Sequence, residues 1–270
     1  MNVLVYGGSG YIGSRLIPYL SKWHTVSNWD VMGSQGKFEF SGAIIHLACL
    51  SNNDMCERNP ALAKKLNEDS LAETIKYAKG IEHFIYASSV AAYGNIEGEA
   101  DETYPLNPTT LYGKAKQAGE EMLKASDLPY TITRCASVCG YSPRMRYDLM
   151  VNKMTHDAAT KGVITVNGGE QRRSHITIDD VCEFYGMLLD TKPARETFNV
   201  VGQNQYVLTT AHIVADVVGR TEIAVKPRTD DRSYAVSGRK AKEVLGFEPQ
   251  WSIKDAVISN YLNTLYDRPG

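Results

Sequence analysis

The chain has 270 residues, with 29 Lys and Arg against 31 Asp and Glu and a formal net charge of −2. So even a balance, without a dense basic block, argues against a nucleic-acid or membrane surface as partner, and no apolar run approaches the roughly 20 residues of a membrane-spanning helix. The length suits one large domain or two modest ones. Met1 leads straight into an apolar strand with no basic leader, so a soluble cytoplasmic protein is expected. Cys49, Cys56, Cys135, Cys139 and Cys182 form no CxxC pair, and the histidines show no metal-ligand spacing. Reduced thiols and no metal site are therefore expected.

In chain order, the apolar run Val3-Leu4-Val5-Tyr6 is followed by Gly7-Gly8-Ser9-Gly10-Tyr11-Ile12-Gly13 and then by the helical pattern Ile12, Leu16, Ile17, Leu20. A strand, a glycine turn and a helix in that order make a phosphate site. Glycines let the backbone turn and approach a pyrophosphate, and the helix start attracts the anion. Asp30 closes the next extended run, Thr25 to Trp29, where an acid takes the hydroxyls of an adenosine ribose. After the short glycine-rich stretch 31–42, Ala43-Ile44-Ile45-His46-Leu47-Ala48 reads as a strand covered on both faces, with His46 packed rather than catalytic. Pro60 starts a helical pattern that Gly80 stops.

A strand His83 to Ala87 then runs into Ser88-Ser89, hydroxyls at the sheet end where an α/β fold places its ligand. Beyond it, Asn107-Pro108-Thr109-Thr110 opens a helix carrying Tyr112 and Lys116. Four residues apart, these two share one helix face. A phenol is a poor base at neutral pH unless a cation lowers its pKa, and Lys116 supplies one. A hydroxyl from Ser89 on the same substrate oxygen completes a proton relay beside a hydride acceptor. Further on, the spacing predicts a helix over about 147–160, strands at 163–166 and 198–201, and helices at 209–219 and 252–266.

These residues resemble the extended short-chain dehydrogenase/reductases of the NAD-dependent nucleotide-sugar epimerase and dehydratase group, of UDP-glucose 4-epimerase type. The resemblance rests on Gly7xxGly10xxGly13, Asp30, His46-Leu47-Ala48, Asn67, Ser88-Ser89-Val90-Ala91-Ala92-Tyr93-Gly94 and Tyr112xxxLys116. It continues through Arg134, Gly140, the stretch Gly168 to Asp180, Pro227-Arg228 and Ala241 to Pro249. It implies an α/β fold, a Rossmann-type doubly wound parallel sheet with a smaller C-terminal substrate-binding lobe. Residues 1–140 would bind NAD, with later returns near 176–200, and 141–270 would mainly hold the nucleotide sugar.

The resemblance also implies roles. Gly7, Gly10, Tyr11, Ile12 and Gly13 would hold the pyrophosphate side of NAD, Asp30 the adenosine ribose, and Leu47, Ala48 and Cys135 the remainder, with Arg134 on the cofactor side. Tyr112 would be general base and acid, Lys116 its pKa modulator and holder of the nicotinamide ribose, and Ser89 the second hydroxyl. Ser137, Leu149, Arg173 and Arg228 would contact the substrate's phosphates and nucleoside. The implied activity is epimerisation of a nucleotide-linked sugar through a transient 4-keto species, the alternative being a nucleotide-linked keto-sugar reductase using NAD(P)H.

A 4,6-dehydratase fits less well, because Val90-Ala91 stands where that type carries an Asp-Glu pair after the catalytic hydroxyl. A non-catalytic NAD-sensing or RNA-associated scaffold fits poorly with Ser89, Tyr112 and Lys116 all in place. A homodimer is expected, built on the helices at about 60–79 and 108–125 with Leu62, Leu66 and Met122 at the contact. Three departures accompany the resemblance: a short segment between Asp30 and His46 that reduces a third strand to Phe38-Glu39-Phe40, Asn167 in place of an aromatic, and Cys135 where some epimerases carry Tyr.

Overall fold

The computed structural model describes residues 1–30, 40–228 and 232–266. The chain opens with β1 (Asn2–Tyr6), α1 (Gly13–Leu20), β2 (Thr25–Trp29) and β3 (Ala43–His46). Next come α2 (Asn53–Arg58), α3 (Pro60–Lys64), a π-helical turn (Lys65–Asp69) and α4 (Ser70–Tyr77). The pattern read as one helix from Pro60 is thus a helix interrupted by a π turn, and α2 precedes it. Asn52 and Asn59 cap α2 and α3 by accepting from the amides of Met55 and Leu62. Proline at position 60 lacks an N–H and disfavours helical geometry at Asn59, so α2 ends there and a new helix begins.

β4 (His83–Ser89), β5 (Glu99–Ala100), α5 (Leu111–Lys124), β6 (Tyr130–Cys135) and β7 (Ser137–Cys139) follow. The remainder is α6 (Met150–Lys161), β8 (Val163–Asn167), β9 (Arg172–Thr177), α7 (Ile178–Thr191), β10 (Glu196–Val200), β11 (Gln203–Tyr206), α8 (Val207–Val218), β12 (Glu222–Lys226), β13 (Ala235–Val236), α9 (Arg239–Leu245) and α10 (Ile253–Tyr266).

The main sheet is parallel throughout, in the order β10-β6-β4-β3-β1-β2. From β1 the chain moves outward to β2 and then crosses back to β3 on the other side, and such a reversal opens a crevice at the strands' C-terminal ends. β2 and β10 are the two edge strands of this sheet among the described residues. Phe38 and Glu39 lie outside the described residues.

Alternation along each strand divides the core between the two faces of the sheet. Val3, Val5, Ala43, Ile45, Ile85 and Ala87 pack with α1 and α7 residues such as Leu16, Val181 and Phe184. Leu4, Tyr6, Ile44, Phe84 and Tyr86 pack with Leu71 and Leu123 from the other helices. The later part of the chain adds a three-stranded sheet β11-β9-β7 and the pair β12-β8. These are covered by a separate cluster that includes Val151, Met154, Ile164, Val214 and Val257. No helix among the described residues is long and apolar enough to cross a membrane.

Three histidines are sealed into this architecture. His46 is a packed ring, 5.4 Å from Tyr6 and 6.3 Å from Phe84 between ring centroids. Burial pushes its pKa down to about 3, and those of His83 and His175 down to about 4. The unfolded chain takes these protons near pH 6.5 while the folded chain refuses them until much lower, so acid favours unfolding at about 1.4 kcal/mol per histidine per pH unit. Melting followed by circular dichroism is therefore expected to show a Tm that falls steadily from pH 6.5 to 4.5. A flat Tm over that range would show that the rings protonate within the fold.

Candidate functional site

A cleft of about 680 Å³ lies over the ends of β1, β3 and β4. Its cofactor side is built by close backbone approach. Gly7 has φ +80°, and a Cβ there would lie 2.7 Å from the backbone of Ala48, so only glycine lets the first turn rest against the end of β3. A Cβ on Gly13 would lie 2.4 Å from Gly8, which brings α1 down onto the loop. No side chain caps the start of α1, so none competes with an anion for the amides there.

Asp30 accepts from the Ser9 amide at 3.3 Å, from the Ser9 hydroxyl, and from Asn28 Nδ2 at 2.9 Å. Partial burial works to raise its pKa, but these donors outweigh it and hold the carboxyl below the usual range. The loop after β3 is fixed by Asn67 from the π turn, which accepts from Leu50 N at 2.6 Å and donates to Leu50 O at 3.1 Å. Gly7, Gly10, Tyr11, Ile12, Gly13, Asp30, Leu47, Ala48 and Cys135 all line the cleft. A glycine cradle that a Cβ would fill, an uncapped helix start and an ionised acid at the end of β2 fit a dinucleotide whose ribose hydroxyls are unphosphorylated.

The floor of the cleft is set by α5 and β4. Thr110 caps α5 by accepting from Gly113 N at 3.1 Å. Lys116, only 2% exposed, donates to Ala87 O at 2.5 Å, and its Nζ lies 5.7 Å from the Tyr112 ring centroid and 4.9 Å from that of Tyr86. Burial holds the pKa of Tyr112 above the ordinary phenol value, with the charge on Lys116 and a hydrogen bond with Ser89 offsetting only part of that rise. For Lys116, burial works downward but Cys49 and Tyr112 outweigh it, so the amine stays charged. Ser88 is turned away, donating to Glu120 Oε1 at 2.7 Å. Ser89 is the hydroxyl beside Tyr112.

On the opposite wall, Ser137, Leu149 and Arg173 line the cleft. Arg173 donates to the carbonyls of Arg172 at 3.0 Å and Arg232 at 2.5 Å and lies 5.1 Å from the Tyr234 ring. Arg228, expected beside it, is exposed against Gly168 and is not among the lining residues. β12 runs alongside β8 as far as Lys226, which carries Arg228 off on that side. The chain rejoins the cleft at Arg232 and Tyr234, where Tyr234 N donates to Arg172 O.

Arg134 also differs from expectation. It is buried beneath the C-terminal ends of the sheet strands, with Nη2 2.7 Å from Glu120 Oε2, and does not line the cleft. Leu66 lines the cleft, whereas Leu62 is 38% exposed on the outer face of α3.

Sequence reasoning passed over Arg146 and Asp148, the second of which falls at the start of the helix expected over about 147–160. Both line the cleft. Arg146 donates to Asp148 through Nε at 2.8 Å and Nη2 at 2.5 Å, and through Nη1 to Ser51 Oγ. Asn52 donates to Asp148 at 2.8 Å, so this group ties the loop after β3 to the opposite wall. The hydrogen bonds from Arg146 push Asp148 down to about 2. The alternation Arg144, Arg146, Asp148 was the available signal, but nothing local marks a loop as reaching into a cleft.

A family model for the NAD dependent epimerase/dehydratase family matches residues 3–201. The low-salt glycan biosynthesis protein of Haloferax volcanii is 26% identical over 310 residues, covering 97% of this chain and 99% of that protein. The structure of UDP-glucose 4-epimerase from Thermotoga maritima with UDP-glucose superposes with a TM-score of 0.85 at 26% identity, covering 99% of this chain and 100% of that one. UDP-glucuronic acid 4-epimerase from Bacillus cereus superposes with a TM-score of 0.88 at 19% identity over 98% of this chain and 99% of that one, a likeness of fold. With its glycine cradle, its parallel sheet and this match over most of its length, the chain belongs to the NAD-dependent epimerase/dehydratase family.

Proposed function

We propose that the protein is an NAD-dependent epimerase of a nucleotide-linked sugar. The observation that carries this reading is the convergence of Tyr112, Ser89 and Lys116 on the floor of the cleft that also holds Asp30 and the glycine turn. Ser89 and Tyr112 hold one sugar hydroxyl between them, and the phenolate oxygen of Tyr112 removes its proton as the carbon is oxidised. Lys116 keeps that phenolate accessible by its charge and orients it from behind. NAD, when bound, supplies the acceptor and later the donor of the hydride. After the keto sugar turns over, Tyr112 returns the proton to the oxygen and the epimer leaves with no net redox change.

Asp30 disfavours a 2′-phosphate by charge, which supports NAD over NADP. Val90 and Ala91 follow Ser89 where an elimination would require carboxyl groups, which supports epimerisation over dehydration. Arg173 and Arg232, with planar donor forks, would hold the substrate's phosphates, and Ser137 and Leu149 the adjoining part. Helices α3 and α5 are the faces through which two copies would pair, with Leu62 outward.

Denaturing freshly purified protein and weighing the released nucleotide by mass spectrometry is expected to give about one equivalent of NAD(H). NADP(H), or an empty site, would transfer the assignment to the keto-sugar reductase. Tyr112→Phe is expected to lower turnover of nucleotide sugars by about 10²–10⁴-fold with unchanged circular dichroism. In Lys116→Met, the rise of kcat/KM with pH should move to higher pH by about 1 unit or more, because the cation that lowers the phenol is gone. Wild-type protein that retains NAD yet converts no nucleotide sugar would sink the epimerase reading.

A further inference from the structure

Behind the cleft lies a buried charge network that the proposed chemistry does not use. Glu120 is fully buried and Arg134 is 3% exposed at its side chain. Arg134 reaches Glu120 through Nε at 3.0 Å and Nη2 at 2.7 Å, and its Nη1 donates to Tyr93 Oη at 2.9 Å and to Glu102 O at 3.1 Å. Ser88 donates to Glu120 Oε1 at 2.7 Å, and Tyr93 passes the chain on to Asn199 Oδ1 at 2.7 Å. Lys124 touches the rim, 3.3 Å from Glu120 Oε2. One carboxylate thereby joins α5 to β4, β6 and, through Tyr93, β10.

Its place on α5 gives the network a meaning. Tyr112, Lys116 and Glu120 are spaced by four and form one stripe of the helix. Glu120 is fastened to Ser88, the neighbour of Ser89, and to Arg134, the neighbour of Cys135. The same segment of α5 lies so close to β4 that a Cβ on Gly119 would fall 2.3 Å from the Tyr86 hydroxyl, and the Tyr86 ring is the surface on which Lys116 rests. A buried ion pair adds little net stability compared with well-packed apolar residues of the same volume, so its value lies in fixing where the helix sits.

We propose that Glu120 and Arg134 are positioning residues which set the height of α5 against β4 and β6, and so the placement of the Tyr112 hydroxyl relative to Ser89. This rests on Tyr112 being the base. The pair acts through the helix and touches neither sugar nor cofactor.

The test uses the full chain labelled with 3-fluorotyrosine, the Tyr112 resonance being assigned by its loss in Tyr112→Phe. In the double variant Glu120→Met/Arg134→Met, which removes both charges together, Tm is expected to stay within about 5 °C of wild type. Its Tyr112 fluorine signal should shift and broaden. NAD affinity should change less than about threefold, and kcat for an active nucleotide sugar should fall about 100-fold, the effect of misplacing a reacting group by about 1 Å. A wild-type signal with wild-type kcat in that variant overturns the proposal. If the double variant does not accumulate, Arg134→Lys, which keeps the charge and loses the fork, must move the same signal, and Ser88→Ala must move it less in the same direction. An unmoved signal in both overturns the proposal equally. Turnover that survives Tyr112→Phe instead removes Tyr112 as the base, a result that none of the other variants would mimic.

Discussion

The buried ammonium of Lys116 is the constraint around which the cleft is arranged. A positive charge out of water is tolerable only with compensating groups held in place. Lys116 has the Ala87 carbonyl as acceptor and the rings of Tyr86 and Tyr112 as neighbours. Ala87 belongs to the central strand β4, so the ammonium is referenced to the most deeply packed part of the sheet. The phenol that it tunes stands one turn away on the same helix. Electrostatics and fold are therefore one problem here: shifting α5 would cost the lysine its acceptor and the tyrosine its cation together.

The two walls of the cleft are stabilised in different ways. The cofactor side depends on the absence of side chains, through the approach of Gly7 to Ala48 and of Gly13 to Gly8. The far wall depends on polar side chains that satisfy one another before any ligand arrives, as in the carbonyl contacts of Arg173 and the fork of Arg146 on Asp148. A dinucleotide has one shape throughout a family, which suits a rigid backbone cradle. Sugars and bases vary, which suits side chains that can be exchanged without rebuilding the sheet.

What could be read from the sequence follows from how local each signal is. The β1–glycine–α1 unit and the Tyr112–Lys116 pair are specified within a few residues by glycine spacing and helical periodicity, and both stand at the cleft. The break before Pro60 was visible as a helix start, but α2 and the π turn at Asn67 were not: α2 has only six residues, too few for an apolar period, and the π turn is tied through Asn67 to Leu50, outside its own segment. Arg134 was placed on the cofactor side through the family resemblance alone. Its partner Glu120 comes from a different element, and only the packing of α5 on β6 brings them together. Arg228 and Arg232 are four residues apart, and no periodicity tells which of them returns to the cleft once β12 has ended.

Gly119 sits two turns beyond Tyr112 on α5, pressed against the Tyr86 hydroxyl. Its hydrogen in place of a methyl is a spacer of zero thickness, and the gap between helix and strand is set by that spacer. The depth at which the Tyr112 hydroxyl lies below the cleft is accordingly dimensioned at a position with no chemistry of its own. In the same way, the height of a lever's tip is fixed by where its pivot has been filed flat.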